Sequence, residues 1–155
     1  MPLSSAFNLV DYCRIGPDVS LHFDDVFYMR KMHRERISTK TTLQNTIFRA
    51  PMDGFVFRCD PDVFLLRDND IKLSKEQRRA LTILNHLFGS VYMTSDNVAS
   101  YDAEKRRALE EAERLSNAQI LNVQKNDNRI TIRYRHEKET ASLVYDRNKG
   151  VFIEL

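Results

Sequence analysis

Cysteine is scarce: the chain has two, Cys13 and Cys59, far apart and outside any C-x-x-C pattern. That argues against a disulfide framework or a zinc site and fits a reducing cytosol. Charge of one sign is missing too. Basic and acidic side chains number 24 and 22, a formal net charge of +2, whereas a dedicated nucleic-acid binder gathers a clear basic excess on one face. Long hydrophobic runs are also absent. The most apolar stretch, Leu81 to Met93, contains Asn85 and His86 and falls short of the roughly 20 residues that span a bilayer. The start, Met1-Pro2-Leu3-Ser4-Ser5, has no charged segment followed by an apolar one, so no signal peptide is expected. No internal repeat, low-complexity tract or Gly/Ser-rich linker is found. The expectation is a cytoplasmic chain with no nucleic-acid partner, no membrane partner, no metal and no cofactor.

What is present suits one globular unit. Hydrophobic residues make up 42% of the 155 and charged residues 30%, a mix that can bury a core rather than stay disordered. Ser74-Lys75-Glu76-Gln77 has the form of a capping box. Ala80, Leu81, Leu84, Leu87 and Phe88 then recur at helical spacing, and Gly89 is expected to end that helix in a left-handed conformation. A second helix starts at the cap Asp102 and runs to about Leu115, with Ala108, Leu109, Ala112 and Leu115 inward. A third lies between about Thr41 and Met52, with Leu43, Ile47, Phe48 and Met52 on its inner side.

Strand-like runs separate these helices. Phe55-Val56-Phe57 and Val63 to Leu66 bracket a polar segment, Arg58 to Asp62, and Ser90 to Met93 follows the first helix. Alternating strands and helices predict right-handed βαβ units and a parallel sheet. The last forty residues differ. Arg129 to Arg135 alternates strictly, Ala141 to Tyr145 and Val151 to Leu155 are strand-like, and Asp146 to Gly150 is turn chemistry. The expected class is α/β with a small antiparallel β meander appended near Ser116-Asn117, dividing the chain into 1–117 and 118–155.

In parallel α/β architectures functional side chains collect at the C-terminal ends of strands. Three polar clusters are expected there: Arg14 with Asp18, Asp60 with Asp62, and Ser95 with Asp96. Converging carboxylates beside an arginine suit glycoside hydrolysis. The bland alternatives are a strand-end ion pair of Arg14 with Asp11 or Asp18, a turn at Asp60-Pro61-Asp62, and a loop at Ser95-Asp96-Asn97. His22, His33, His86 and His136 show no metal-ligand spacing and are expected at the surface or partly buried. The run Arg30-Lys31-Met32-His33-Arg34-Glu35-Arg36 reads as a solvated helix face.

Pro2 to Phe7, Val10-Asp11-Tyr12-Cys13-Arg14-Ile15-Gly16-Pro17-Asp18, Asp60-Pro61-Asp62 followed by Leu65-Leu66-Arg67, and Met93-Thr94-Ser95-Asp96-Asn97 together resemble the bacterial melibiase-type retaining α-galactosidases. Order and spacing agree over roughly residues 2–115, and Arg-Ile-Gly-Pro-Asp is the most specific of the segments. The resemblance implies the C-terminal part of a (β/α)8 barrel, about three strand-helix units, acting on terminal α-galactoside sugars. Asp18 matches the general acid/base and Arg14 the arginine that holds sugar hydroxyls, while Asp60 and Asp62 are expected to shape the substrate site. Phe23 stands where the family usually has tryptophan, which this chain lacks altogether, and Cys59 where asparagine commonly precedes Asp-Pro-Asp.

The nucleophile of that family lies on an earlier strand that has no counterpart here, and neither Asp24 nor Asp25 is expected to replace it. The chain is therefore expected to begin in the loop after the fifth strand and to be inactive alone. Its rival reading is a non-catalytic sugar-binding or assembly module, a half-barrel that forms a homo-oligomer or pairs with a missing first half. A third is a truncated reading of a longer gene with no independent role.

Overall fold

The computed structural model describes residues 3–24, 31–32 and 37–153. Its elements run β1 (Tyr12–Arg14), α1 (Thr39–Arg49), β2 (Arg58–Asp60), β3 (Val63–Phe64), α2 (Lys75–Phe88), β4 (Met93–Thr94), α3 (Ala103–Leu115), β5 (Gln119–Asn126), β6 (Arg129–His136), β7 (Glu139–Asp146) and β8 (Val151–Ile153). β1 pairs in parallel with β2 and β3 with β4, and β5 to β8 form an antiparallel meander. The class is mixed helix and sheet, with two successive strand-helix-strand units before the four-stranded sheet.

Local chemistry explains the helices. Ser74 accepts from the Gln77 N–H while the Gln77 side chain accepts from the Ser74 N–H, the complete capping box. Asp102 caps α3 by accepting from the Glu104 and Lys105 N–H groups. Gly89 ends α2, but not by a left-handed turn: its φ is −106°. A Cβ there would lie 2.6 Å from Pro61 Cγ and 2.8 Å from the Asn85 carbonyl oxygen, so close approach of another segment requires glycine. α1 begins two residues earlier than its apolar spacing predicts, at the cap Ser38, and ends at Arg49 before a 3-10 turn containing Pro51. Phe48 is 45% exposed rather than inward, because Thr39, Thr42 and Thr46 share the inner face with Leu43 and Ile47.

The strand positions differ in an instructive way. Phe55 is 84% exposed, and the pairing falls on the polar residues Arg58–Asp60 instead. Similarly the strand after α2 is Met93–Thr94, later than the apolar residues suggest. β5 has no counterpart among the predicted strands: its solvent face carries Gln119, Asn122, Gln124 and Asn126, and only Ile120 and Val123 pack inward. Val151–Ile153 is the described part of the last strand.

One core joins the parallel strands, the helices and the meander. Leu43, Phe64, Leu65, Leu81, Leu84, Ile130, Ile132 and Tyr145 all belong to it, and each fully buried large apolar side chain stabilises the fold by about 1.5–3 kcal/mol. A smaller cluster of Ile15, Phe57 and Cys59 lies on the other side of β1 and β2. Phe23 packs against the main core and meets Gly150, whose φ of +77° and missing Cβ leave room for the ring. No helix among the described residues is long and apolar enough to cross a membrane. Of the basic run at 30–36, only Lys31 and Met32 are described, both exposed; the rest, with His33 and Asp25, lies outside the described residues.

Candidate active site

The parallel register sets Arg14 opposite Asp60, each the last residue of its strand. Side chains alternate along a strand, so both project from the same face at the C-terminal end. The Arg14 fork then meets three carboxylates: Nε to Asp60 Oδ2 at 3.0 Å, Nη2 to Asp62 Oδ1 at 2.9 Å, and Nη1 to Asp18 Oδ1 at 3.1 Å. Two clusters that the sequence keeps apart are therefore one group. Of the two strand-end ion pairs expected as alternatives, Arg14 forms the one with Asp18 and, among the described residues, none with Asp11.

The three carboxylates have different surroundings. Asp62 is nearly closed off, its side chain 9% exposed, and its Oδ2 accepts from the Val19 N–H at 2.5 Å. Asp60 Oδ1 accepts from the Asp62 N–H at 2.8 Å. Asp62 sits at φ +76°, a left-handed conformation that aspartate tolerates better than most residues, and the Asn85 amide donates to its carbonyl oxygen at 3.2 Å. Asp18, by contrast, has a side chain 79% exposed whose Oδ1 meets Arg14. Burial opposes the Arg14 charge, but the Asp60 hydrogen bond and the fields of Asp62, Asp60 and Asp18 outweigh it and raise its pKa.

The loop that presents Asp18 is held from behind. Thr42 Oγ1 donates to the Pro17 carbonyl at 2.9 Å and lies 3.2 Å from that of Asp18. Thr39 Oγ1 donates to the Ser20 carbonyl at 2.7 Å. The sequence reading misses these threonines, although their spacing at 39, 42 and 46 on a face that should be apolar is a usable signal. One formal positive charge faces three formal negative ones, so the group repels anions and suits a neutral ligand whose hydroxyls donate.

The third expected cluster is structural. The Asp96 carboxylate is fully buried and accepts from the Leu66 N–H at 2.6 Å, the Arg67 N–H at 2.9 Å and the Tyr101 hydroxyl at 2.7 Å. It ties the chain after β3 to the loop after β4. Ser95 Oγ accepts from Arg67 at 3.2 Å. Asp24 pairs with Lys40 at 2.9 Å. His86 is buried rather than at the surface, stacked on Tyr92 with centroids 4.5 Å apart. No three His, Cys, Asp or Glu side chains among the described residues are grouped to hold a metal ion. A cavity of about 820 Å³ lies among Ile47, Asp53, Arg58, Phe88, Ser90 and Tyr92. It opens where β2 begins, the end that serves stability rather than chemistry in such sheets.

No protein-family model matches the chain, and no curated protein matches it to significance. Solved structures do. The fold is similar to α-galactosidase I from Mortierella vinacea, with a TM-score of 0.66 and 9% identity over 94% of this chain and 40% of that one. It is also similar to an α-galactosidase from Thermus thermophilus, solved with p-nitrophenyl α-D-galactopyranoside, with a TM-score of 0.55 and 22% identity over 84% of this chain and 26% of that one. The chain spans less than half the length of either neighbour, and at these identities the likeness is one of fold: an α-galactosidase-like fold, in part.

Proposed function

We propose that the chain is the C-terminal part of a retaining α-galactosidase of the bacterial melibiase type, with residues 1–117 forming part of the catalytic (β/α)8 barrel and 118–155 a β segment. Asp18 is the general acid/base, protonating the glycosidic oxygen and later taking the proton of the attacking water. Arg14 orients Asp18 and offers its fork to sugar hydroxyls. Asp60 and Asp62 fix Arg14 and shape the subsite without taking part in bond breaking. The observation that supports this most is the asymmetry of the carboxylates. Asp60 and Asp62 are tied to Arg14 and to backbone N–H groups, whereas Asp18 stands open to a ligand at the strand ends.

Retention requires a second carboxyl about 5–5.5 Å from the first, acting as nucleophile. Neither tied aspartate is free for that work, so the nucleophile comes from a preceding part of the barrel. Purified chain and its Asp18→Ala variant, assayed on a chromogenic α-galactoside, should both be inactive. Activity that Asp18→Ala abolishes overturns the missing nucleophile. In a chain that includes the preceding half, Asp18→Ala should lower kcat by about 10²–10⁴-fold, and an unchanged kcat removes Asp18 from the mechanism.

One observation favours a second reading, a non-catalytic sugar-binding or assembly module. β1 pairs only with β2 among the described residues, and Leu9, Val10, Tyr12 and Phe55 around it are exposed. An open edge beside apolar surface is a template for pairing. Size-exclusion chromatography of the pure chain separates the readings: a discrete oligomer without hydrolysis supports assembly.

A further inference from the structure

The alternation that sends Arg14 and Asp60 to the ligand face sends Cys13 and Cys59 to the other. They are in-register partners across the β1–β2 pair, and both are free thiols. Neighbouring strands lie about 4.7–4.9 Å apart, within the roughly 4.4–6.8 Å that a disulfide needs between Cα atoms. Cys59 is a buried member of the cluster with Ile15 and Phe57, and Cys13 packs against that cluster. Only Cys13 is partly exposed, so an oxidant meets it first. Nothing in the proposed hydrolysis uses either sulfur.

We infer that Cys13 and Cys59 are a reversible dithiol–disulfide pair, a modification site at which a hydroperoxide closes a covalent staple between β1 and β2. The Cys13 sulfur attacks the peroxide, breaking its O–O bond; the peroxide is reduced to water or an alcohol and Cys13 becomes a sulfenic acid. The Cys59 sulfur then attacks the Cys13 sulfur, the S–S bond forms, and the hydroxyl leaves as water with the Cys59 proton. A dithiol reductant returns both sulfurs to thiols by exchange with the disulfide and is itself oxidised to one. Burial, then Asp53 and Cys13, push the Cys59 thiol up to about 12, which makes its attack the slow step and leaves Cys13 the entry point. The staple lies one residue before Arg14 in β1 and one before Asp60 in β2, so closing it fixes the strand ends that carry the ion pair.

The test treats the purified chain with equimolar hydrogen peroxide, then counts thiols after denaturation and maps peptides without reduction. The expected result is loss of both thiols, a monomer lighter by about 2 Da, a Cys13–Cys59 linked peptide, and recovery of both thiols with dithiothreitol. In Cys59→Ser, Cys13 should proceed to higher oxides or bridge two chains. A wild-type chain in which Cys59 keeps its thiol overturns the inference, whether Cys13 has been over-oxidised, has linked two chains or has not reacted. The peptide map is read on unmutated protein, so the outcome stands even where a variant fails to fold.

Discussion

Replacing Asp62 separates three roles that one residue combines. Its carboxylate accepts from the Val19 N–H at 2.5 Å, it pairs with Arg14 at 2.9 Å, and its backbone holds φ +76°. Asp62→Ala orphans the Val19 N–H, costing about 1–3 kcal/mol. It also places alanine in left-handed backbone, costing about 1–2 kcal/mol. Loss of the Arg14 contact adds little, about 0–1 kcal/mol, because Arg14 keeps Asp60 and Asp18 and is partly solvated. The expected total is about 2–6 kcal/mol. Asp62→Asn keeps the acceptor and tolerates the backbone, but turns an amide donor toward Arg14, and should cost about 1–2 kcal/mol. Asp62→Gly removes the backbone penalty alone and should fall between the two. Urea unfolding of all three, with a common slope, ranks them as Asn, Gly, Ala in increasing damage. Equal losses for Asn and Ala refute the reasoning, since neither the hydrogen bond nor the left-handed backbone then matters.

Among the described residues the buried Tyr145 hydroxyl has no hydrogen-bond partner, so Tyr145→Phe should stabilise the fold by about 1 kcal/mol, read as a raised thermal midpoint. Burial first, and Asp146 second, hold the Tyr145 pKa above its ordinary value of 10.0. Its share of stability is therefore present below about pH 10 and lost as pH rises further, and the Phe variant should lose less stability there than wild type. His86 has the opposite sign. Burial lowers its pKa below 6.5 against a bond to the Thr82 carbonyl, so its contribution is present above about pH 6.5 and is lost as pH falls through the folded value. Thermal midpoints at pH 7.5 and 5.5 should differ less in His86→Phe, which keeps a ring against Phe64 and Tyr92, and an unchanged difference rules His86 out as the cause.

Helices are legible in the sequence because their signals are local. The capping box at Ser74 and the cap at Asp102 decide their own hydrogen bonds, and the apolar stripe of α2 is buried as its spacing predicts. The short parallel strands are not, because pairing chooses polar residues such as Arg58 and Asp60 over the nearby Phe55-Val56-Phe57. A strand of three residues at a sheet's ligand end is specified by register and by its partners, and composition carries neither. Gly89 shows the same limit: a helix-ending glycine is visible, but its reason, the approach of Pro61, belongs to a segment nearly thirty residues earlier. The expected clusters group differently in the fold. Parallel register merges Arg14, Asp18, Asp60 and Asp62, while the buried Asp96 becomes a clamp.

That merging bears on the proposed chemistry. A general acid/base must exist both with and without its proton during one turnover. Asp62 is held between the Arg14 fork and the Val19 N–H, and Asp60 between Arg14 and the Asp62 N–H. Asp18 alone joins the same arginine while its side chain stays largely in solvent, and its backbone is fixed by Thr42 and, through Val19, by Asp62. Rigidity of the main chain with freedom of the carboxyl is what a proton-transferring residue needs, and two of the three acids in the cluster serve to provide it. The group thus commits its other carboxylates to positioning, which is why the nucleophile in this proposal has to arrive from another part of the barrel.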